Sequence, residues 1–115
     1  MRFYITALIA SLATISMADT MTVFTECGPF GMCDSKNAIF YTASGTYNVN
    51  ANKGCRGTEV PGMTEFCVDW DKYRGHFKYS NQTEKRCLLM RARASQACPA
   101  YRCDKSEWEE VGCNH

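Results

Sequence analysis

Short stretches of alternating apolar and polar residues recur along the chain between glycines, prolines and other turn-forming residues. The alternation is clearest in TEFCVDW, where Phe66, Val68 and Trp70 fall on one side of an extended strand. Further segments rich in β-branched and aromatic residues are MTVFT (21–25), AIFYT (38–42), TYNV (46–49) and GHFKYS (75–80). The pattern predicts a small, mainly β domain built on a twisted antiparallel sheet.

The segment EKRCLLMRARASQA (84–97) fits two kinds of structure. Cys87, Met90 and Ala94 form a helical stripe and most residues there are good helix formers, whereas Cys87 and Leu89 also fit one face of a strand. A strand would close a hairpin with residues 76–80 through the polar turn SNQTE, and this pairing favours the strand. The sequence leaves both alternatives open.

A helical start signal lies near the end of the chain. Ser106 and Glu109 have the spacing of a capping box ahead of EWEEV. This spacing predicts one or two helical turns there, with Trp108 and Val111 packed inward.

The first eighteen residues have the pattern of a secretory signal peptide. Arg2 precedes the uncharged run FYITALIASLATISMA, and Ser16 and Ala18 supply the small residues that a signal peptidase requires before Asp19. We therefore predict cleavage of residues 1–18 and a secreted, extracellular protein with a single domain over 19–115.

Eight cysteines in so short a mature chain indicate disulfides. An even number after a secretory signal predicts four bridges, which compensate for a small core. Roughly a hundred pairings are possible. Zinc is not expected because no C-x-x-C pair occurs, and no other metal or cofactor is predicted. The cysteines are Cys27, Cys33, Cys55, Cys67, Cys87, Cys98, Cys103 and Cys113.

Charge is nearly balanced but unevenly distributed. The chain has 13 Lys and Arg, one of them Arg2 in the predicted signal peptide, against 12 Asp and Glu. Residues 72–93 are strongly basic, whereas the first half of the mature chain and the C-terminal end are acidic. The basic segment could form a positive face for an anionic partner, or it could pack against the acidic segments and be neutralised.

Enzymatic motifs are sparse, so no enzyme is predicted. Glu65, Arg74 and His76 are the residue types of a ribonuclease site, but their spacing does not match a known motif, and the only other histidine, His115, ends the chain. No G-x-S-x-G and no phosphate-binding glycine loop occurs. A ribonuclease-like enzyme is kept as an alternative.

Two surface features are predicted between Cys67 and Cys87. Asn81 begins an N-x-[ST] sequon, which predicts an accessible, glycosylated loop. Trp70, Tyr73, Arg74 and His76 cluster around the turn DWDKYRG and combine residue types that are enriched in protein interface hot spots. We take these four residues as the predicted contact surface.

Residues 62–115, from GMTEFCVDWDKYRGHFKYSNQTEKRCL to KSEWEEVGCNH, resemble in layout the small secreted cysteine-rich proteins of plant-associated ascomycete fungi, which are treated as candidate effectors. The resemblance implies a disulfide-stapled sheet without catalytic residues and a role in virulence at the fungus–host interface.

The function expected from these features is non-enzymatic. A monomer would bind or inhibit a host extracellular protein or a cell-wall polysaccharide, and no nucleic acid partner is expected. The alternative from another class is an antimicrobial or killer-toxin-like protein whose basic segment engages anionic membranes.

Overall fold

The computed structural model describes residues 18–114, which form eight β-strands in one sheet. The strands are β1 (Thr20–Cys27), β2 (Cys33–Thr42), β3 (Gly45–Val49), β4 (Gly54–Arg56), β5 (Met63–Asp69), β6 (Arg74–Tyr79), β7 (Arg86–Gln96) and β8 (Arg102–Val111). All paired strands are antiparallel, in the order β3-β2-β1-β8-β7-β6-β5-β4. The prediction of a small, disulfide-rich, mainly β protein is confirmed.

The predicted signal peptide lies outside the described residues except for Ala18. No bilayer-spanning helix is found among residues 18–114.

Two meanders of sequential hairpins make up the sheet. The first contains β1 to β3, and the second contains β4 to β8. They join where β1 pairs with β8, with Thr20 opposite Glu109 and Cys27 opposite Arg102. This pairing brings the first and last strands together in the middle of the sheet.

The sheet curls until its two edges approach each other. The edge strands β3 and β4 are joined by residues 50–53, a connection that reaches at most about 17 Å. The rings of Phe40 on β2 and Phe77 on β6 are 5.1 Å apart between centroids, whereas four strand spacings on a flat sheet would separate them by about 19 Å. The indole N–H of Trp70 donates to the Ala51 carbonyl at 2.8 Å and so ties the connection to the second meander. The result is a half-barrel around one core.

Apolar side chains fill the inner face of the half-barrel. Phe66 and Val68 are buried there, and Trp70 packs edge-on against Trp108 with ring centroids 5.2 Å apart. The alternation predicted for residues 64–70 is therefore confirmed. The buried members of the core are Met21, Val23, Ala38, Phe40, Val49, Ala51, Val60, Met63, Phe66, Val68, Phe77, Leu88 and Trp108.

The ambiguous segment is a strand. β7 pairs with β6, placing Cys87 opposite His76, and with β8 on its other side. The predicted hairpin through residues 80–85 is thus confirmed. The helix propensity of this segment favours a helix by only tenths of a kcal/mol per residue. Two ladders of backbone hydrogen bonds and the burial of Leu88 favour the strand more strongly.

The predicted C-terminal helix is wrong. Ser106 and Glu109 lie within β8, between β1 and β7, and make no capping box. The side chains alternate, with Ser106 and Trp108 buried and Glu107 and Glu109 exposed. The two residues of the predicted capping box lie on opposite faces of a central strand: Ser106 is buried and accepts a hydrogen bond from the Trp108 indole at 2.9 Å, whereas Glu109 is exposed. β4 was not predicted, because three residues are too few to show alternation.

All eight cysteines are paired, which confirms four disulfides. Each bridge lies within one meander. Cys27–Cys33 closes the β1–β2 hairpin and belongs to the first meander. The three bridges of the second meander are Cys55–Cys67, Cys87–Cys113 and Cys98–Cys103.

Candidate functional site

The four residues of the predicted contact surface lie on two sides of the sheet. Trp70 faces inward, packs on Trp108 and has the Arg93 guanidinium 5.8 Å from its ring centroid. Tyr73, which is 49% exposed, lies in the β5–β6 turn, Arg74 begins β6, and His76 follows on the outer face. We call Tyr73, Arg74 and His76 the turn surface. Trp70 is separated from it because Trp70 continues the inward-facing row of β5.

The turn surface contains a close acid–imidazole pair. His76 Nε2 and Glu65 Oε2 are 2.8 Å apart, because β5 and β6 pair and both side chains lie on the outer face. A shallow cavity of ≈ 320 Å³ beside the pair is lined by residues that include Arg74 and Lys85. The structure therefore brings together the three residues of the ribonuclease alternative.

The geometry of this pair limits its chemistry. The Glu65 carboxylate is hydrogen-bonded directly to the His76 imidazole, so it orients the ring. The two side chains therefore act as one acid–base group. Cleavage of RNA through the 2′-hydroxyl needs a base for the nucleophile and an acid for the leaving group. The Cys67 sulfur also lies within 4.8 Å of the donor atoms of both residues, but it is bridged to Cys55. Two donors remain, fewer than a zinc site requires.

Acidic residues of β8 neutralise much of the basic segment. Arg86 bonds Glu110 at 2.7 Å, Arg91 bonds Glu109 at 3.1 Å, and both pairs cross from β7 to β8. A third pair joins Arg93 to the buried Asp104 at 2.9 Å. Three arginines of the basic segment thus lose part of their attraction for an external anion.

Two hairpin turns form an exposed surface that sequence reasoning missed. Residues 28–32 join β1 to β2, and residues 97–101 join β7 to β8; we call these turns the stapled tips. Phe30 is 92% exposed, Met32 79% and Tyr101 74%, the highest values for large hydrophobic side chains among residues 18–114. They are the apolar side chains most available to a partner.

The stapled tips lie side by side. Their parent strands β1 and β8 are neighbours, with Cys27 opposite Arg102, so both hairpins turn at the same end of the sheet. The Arg102 guanidinium reaches to 3.6 Å from the Cys27 sulfur. Because the Cys27–Cys33 and Cys98–Cys103 bridges close the turns, little loop entropy remains to be lost on binding.

Position and charge further define the stapled tips. β7 pairs with β6 no farther than Leu89, so the β7–β8 hairpin projects beyond the β5–β6 turn. Exposed Glu26 and Arg102 place both charge signs beside the tips. Asn81 is exposed in the β6–β7 loop at the opposite end of the sheet, so a glycan there would leave the tips uncovered.

The sequence does carry a signal for these tips. CGPFGMC and CPAYRC each place a large apolar residue between two closely spaced cysteines, together with proline. A turn that short, closed by its own bridge, cannot fold its side chains back to a distant core.

Comparisons of the chain with protein-family models, with curated proteins and with solved structures found no match.

Proposed function

We propose that the chain is a secreted, non-enzymatic, effector-like protein that binds an extracellular host protein through the stapled tips. The observation that carries the proposal is the exposure of Phe30, Met32 and Tyr101 on two neighbouring, disulfide-closed turns. Contiguous apolar patches on soluble proteins commonly mark interaction sites. Multiple disulfides are typical of extracellular proteins, and they support secretion.

A protein partner fits the chemistry of the tips better than an anionic membrane does. Aromatic residues, methionine and arginine are enriched in protein interfaces, and Arg102 lies at the base of the tips. Recruitment to anionic lipid gains ~1 kcal/mol for each basic residue near the surface. Arg102 lies 3.4 Å from the Asp104 carboxylate, and Arg86, Arg91 and Arg93 of β7 are paired with β8, so this gain is small.

Replacing the three tip side chains should remove binding without unfolding the protein. In a variant with Phe30→Ser, Met32→Ser and Tyr101→Ser, we expect a host protein that the wild type captures from plant extracellular fluid to bind at least about tenfold less. The side chains are solvent-exposed, so circular dichroism and the melting temperature should stay close to those of the wild type.

The matched control changes the turn surface instead. A Tyr73→Ser, Arg74→Ser variant should retain the captured protein at the wild-type level. Loss of binding in this control with retention in the tip variant would assign the contact to the turn surface and contradict the proposal. Capture of a cell-wall polysaccharide in place of a protein would overturn the partner class.

A second candidate function, RNA cleavage, is favoured by the contact between Glu65 and His76. If it holds, wild-type protein degrades single-stranded RNA and His76→Ala lowers the rate at least about a hundredfold, the usual contribution of one acid–base group. Lys78→Ala, on the same outer face, serves as the control for a nonspecific loss of positive charge. We expect no RNA degradation by any of the three proteins, and activity that His76→Ala abolishes would contradict the non-enzymatic proposal.

A further inference from the structure

Asp19 is built into the end of the half-barrel opposite the stapled tips. The residue is 4% exposed, although it lies immediately before β1 and follows the exposed Ala18. Its backbone N–H donates to Glu110 Oε1 at 3.0 Å, and its carbonyl accepts a bond from the Glu110 N–H at 3.1 Å. The backbone N–H and the backbone carbonyl of Asp19 are therefore both hydrogen-bonded to Glu110 of β8.

A network of charged and polar side chains surrounds this backbone. The Arg86 guanidinium binds both carboxylate oxygens of Glu110 at 2.7 Å and lies 3.5 Å from the Asp19 carboxylate. The Tyr79 hydroxyl donates to Asp19 at 3.0 Å. We call these four residues, Asp19, Tyr79, Arg86 and Glu110, the amino-terminal cluster.

The charges of the amino-terminal cluster do not balance while Asp19 is joined to Ala18. Asp19 and Glu110 contribute two negative charges, Arg86 contributes one positive charge, and Tyr79 is neutral. Burial raises the pKa of the Asp19 carboxyl above its ordinary value, because a buried site disfavours the charged form of the carboxyl. The Asp19 backbone nitrogen already faces Glu110 Oε1 at hydrogen-bond distance.

We propose that the Ala18–Asp19 peptide bond is a processing site and that the new α-ammonium of Asp19 becomes a structural ion-pair partner of Glu110. Hydrolysis breaks the C–N bond. The oxygen of a water molecule adds to the Ala18 carbonyl carbon, which becomes a carboxylate. The Asp19 nitrogen keeps the electron pair of the broken bond and takes up the two protons of the water, so it becomes an ammonium group. The nitrogen that donated one neutral hydrogen bond then carries a full positive charge. The cluster becomes neutral without movement of its other members.

The burial of Asp19 also indicates the order in which cleavage and folding occur. A peptidase must hold the chain extended on both sides of the scissile bond, whereas the folded protein encloses the Asp19 side chain and backbone. Cleavage therefore precedes closure of this end of the half-barrel, and the completed fold contains the cleaved terminus.

A thermodynamic cycle between the terminus and Glu110 tests the proposal. One chain begins at Asp19, and the other retains an N-acetylated Ala18 so that no ammonium is present. We expect the acetylated chain to melt about 4–8 °C lower at pH 7, the shift typical of one lost charged contact in a domain of this size. In the Glu110→Gln background the difference between the two chains should disappear.

Glu109→Gln is the matched control, because Glu109 is exposed on the outer face and pairs with Arg91. It should leave the difference between the two chains intact. Equal melting temperatures of the two chains with wild-type Glu110, or a difference that survives Glu110→Gln, would overturn the proposal. So would a secreted protein whose first residue by mass spectrometry is not Asp19.

The pH dependence gives an independent readout. Pairing with Glu110 should raise the α-ammonium pKa above its ordinary value of about 7.7–8.0. The groups that face the ammonium are the Asp19 and Glu110 carboxylates, the Arg86 guanidinium and the Tyr79 hydroxyl. The advantage of the cleaved chain should be complete below pH 7.7 and should be lost as the pH rises through the raised pKa. An advantage that persists unchanged to pH 11 would contradict an ammonium contact.

Discussion

Replacing Phe40 with alanine is expected to lower the free energy of unfolding by about 3–5 kcal/mol. Phe40 is fully buried on β2, and its ring meets the edges of Phe66 and Phe77 from the other meander. Alanine would remove both contacts and leave a cavity at the place where the sheet closes on itself. Small domains have a total stability of about 5–15 kcal/mol, so this loss is a large share. Urea unfolding followed by tryptophan fluorescence measures it.

Two further variants show whether the loss comes from closure of the half-barrel. Phe40→Leu keeps most of the apolar volume and should recover more than half of the stability. Phe24→Ala removes the same ring from β1, where it is only partly buried, and should destabilise much less. Equal effects of the two alanine substitutions would contradict the interior position assigned to Phe40.

Removing the Cys87–Cys113 bridge by double alanine substitution should destabilise the protein by ~3.5 kcal/mol. The two cysteines are 26 residues apart, and the entropy of the unfolded chain that a bridge removes grows with the length of the closed loop. Cys87 is fully buried on β7, so lost packing adds to this value. The melting temperature under oxidising conditions gives the measurement.

The Cys98–Cys103 bridge provides the comparison, because its cysteines are 5 residues apart. Its removal should lower the stability by ~2 kcal/mol on the same loop-length relation. If the short-loop variant were the less stable of the two, the entropic account of these bridges would be wrong.

Local pattern was enough to predict most strands. The alternation of Phe66, Val68 and Trp70 follows from the two-residue period of a strand with one buried face. The capping-box spacing of Ser106 and Glu109 misled because two polar residues three positions apart also occur on a strand, where one is buried and the other exposed. Curling of the sheet and the pairing of β1 with β8 depend on contacts between distant residues, which local periodicity does not encode.

The positions of the candidate site residues also depend partly on local periodicity and partly on contacts between distant residues. Arg74 and His76 lie close together because residues two apart on one strand share a face. Trp70 was misplaced, since its membership of the inward row outweighs its position beside the turn. The neighbouring positions of the two stapled tips depend on the β1–β8 pairing, which no local signal in the sequence encodes.

No bridge among residues 18–114 links the first meander to the second. Apart from residues 50–53, the halves are held by the β1–β8 ladder, the shared core and the amino-terminal cluster, all of them non-covalent. A polypeptide cut in that connection would fall into two independently oxidised fragments with no covalent tether. Such fragments are suited to complementation, in which one half is supplied as a separate chain and reassembly reports on the interface between them.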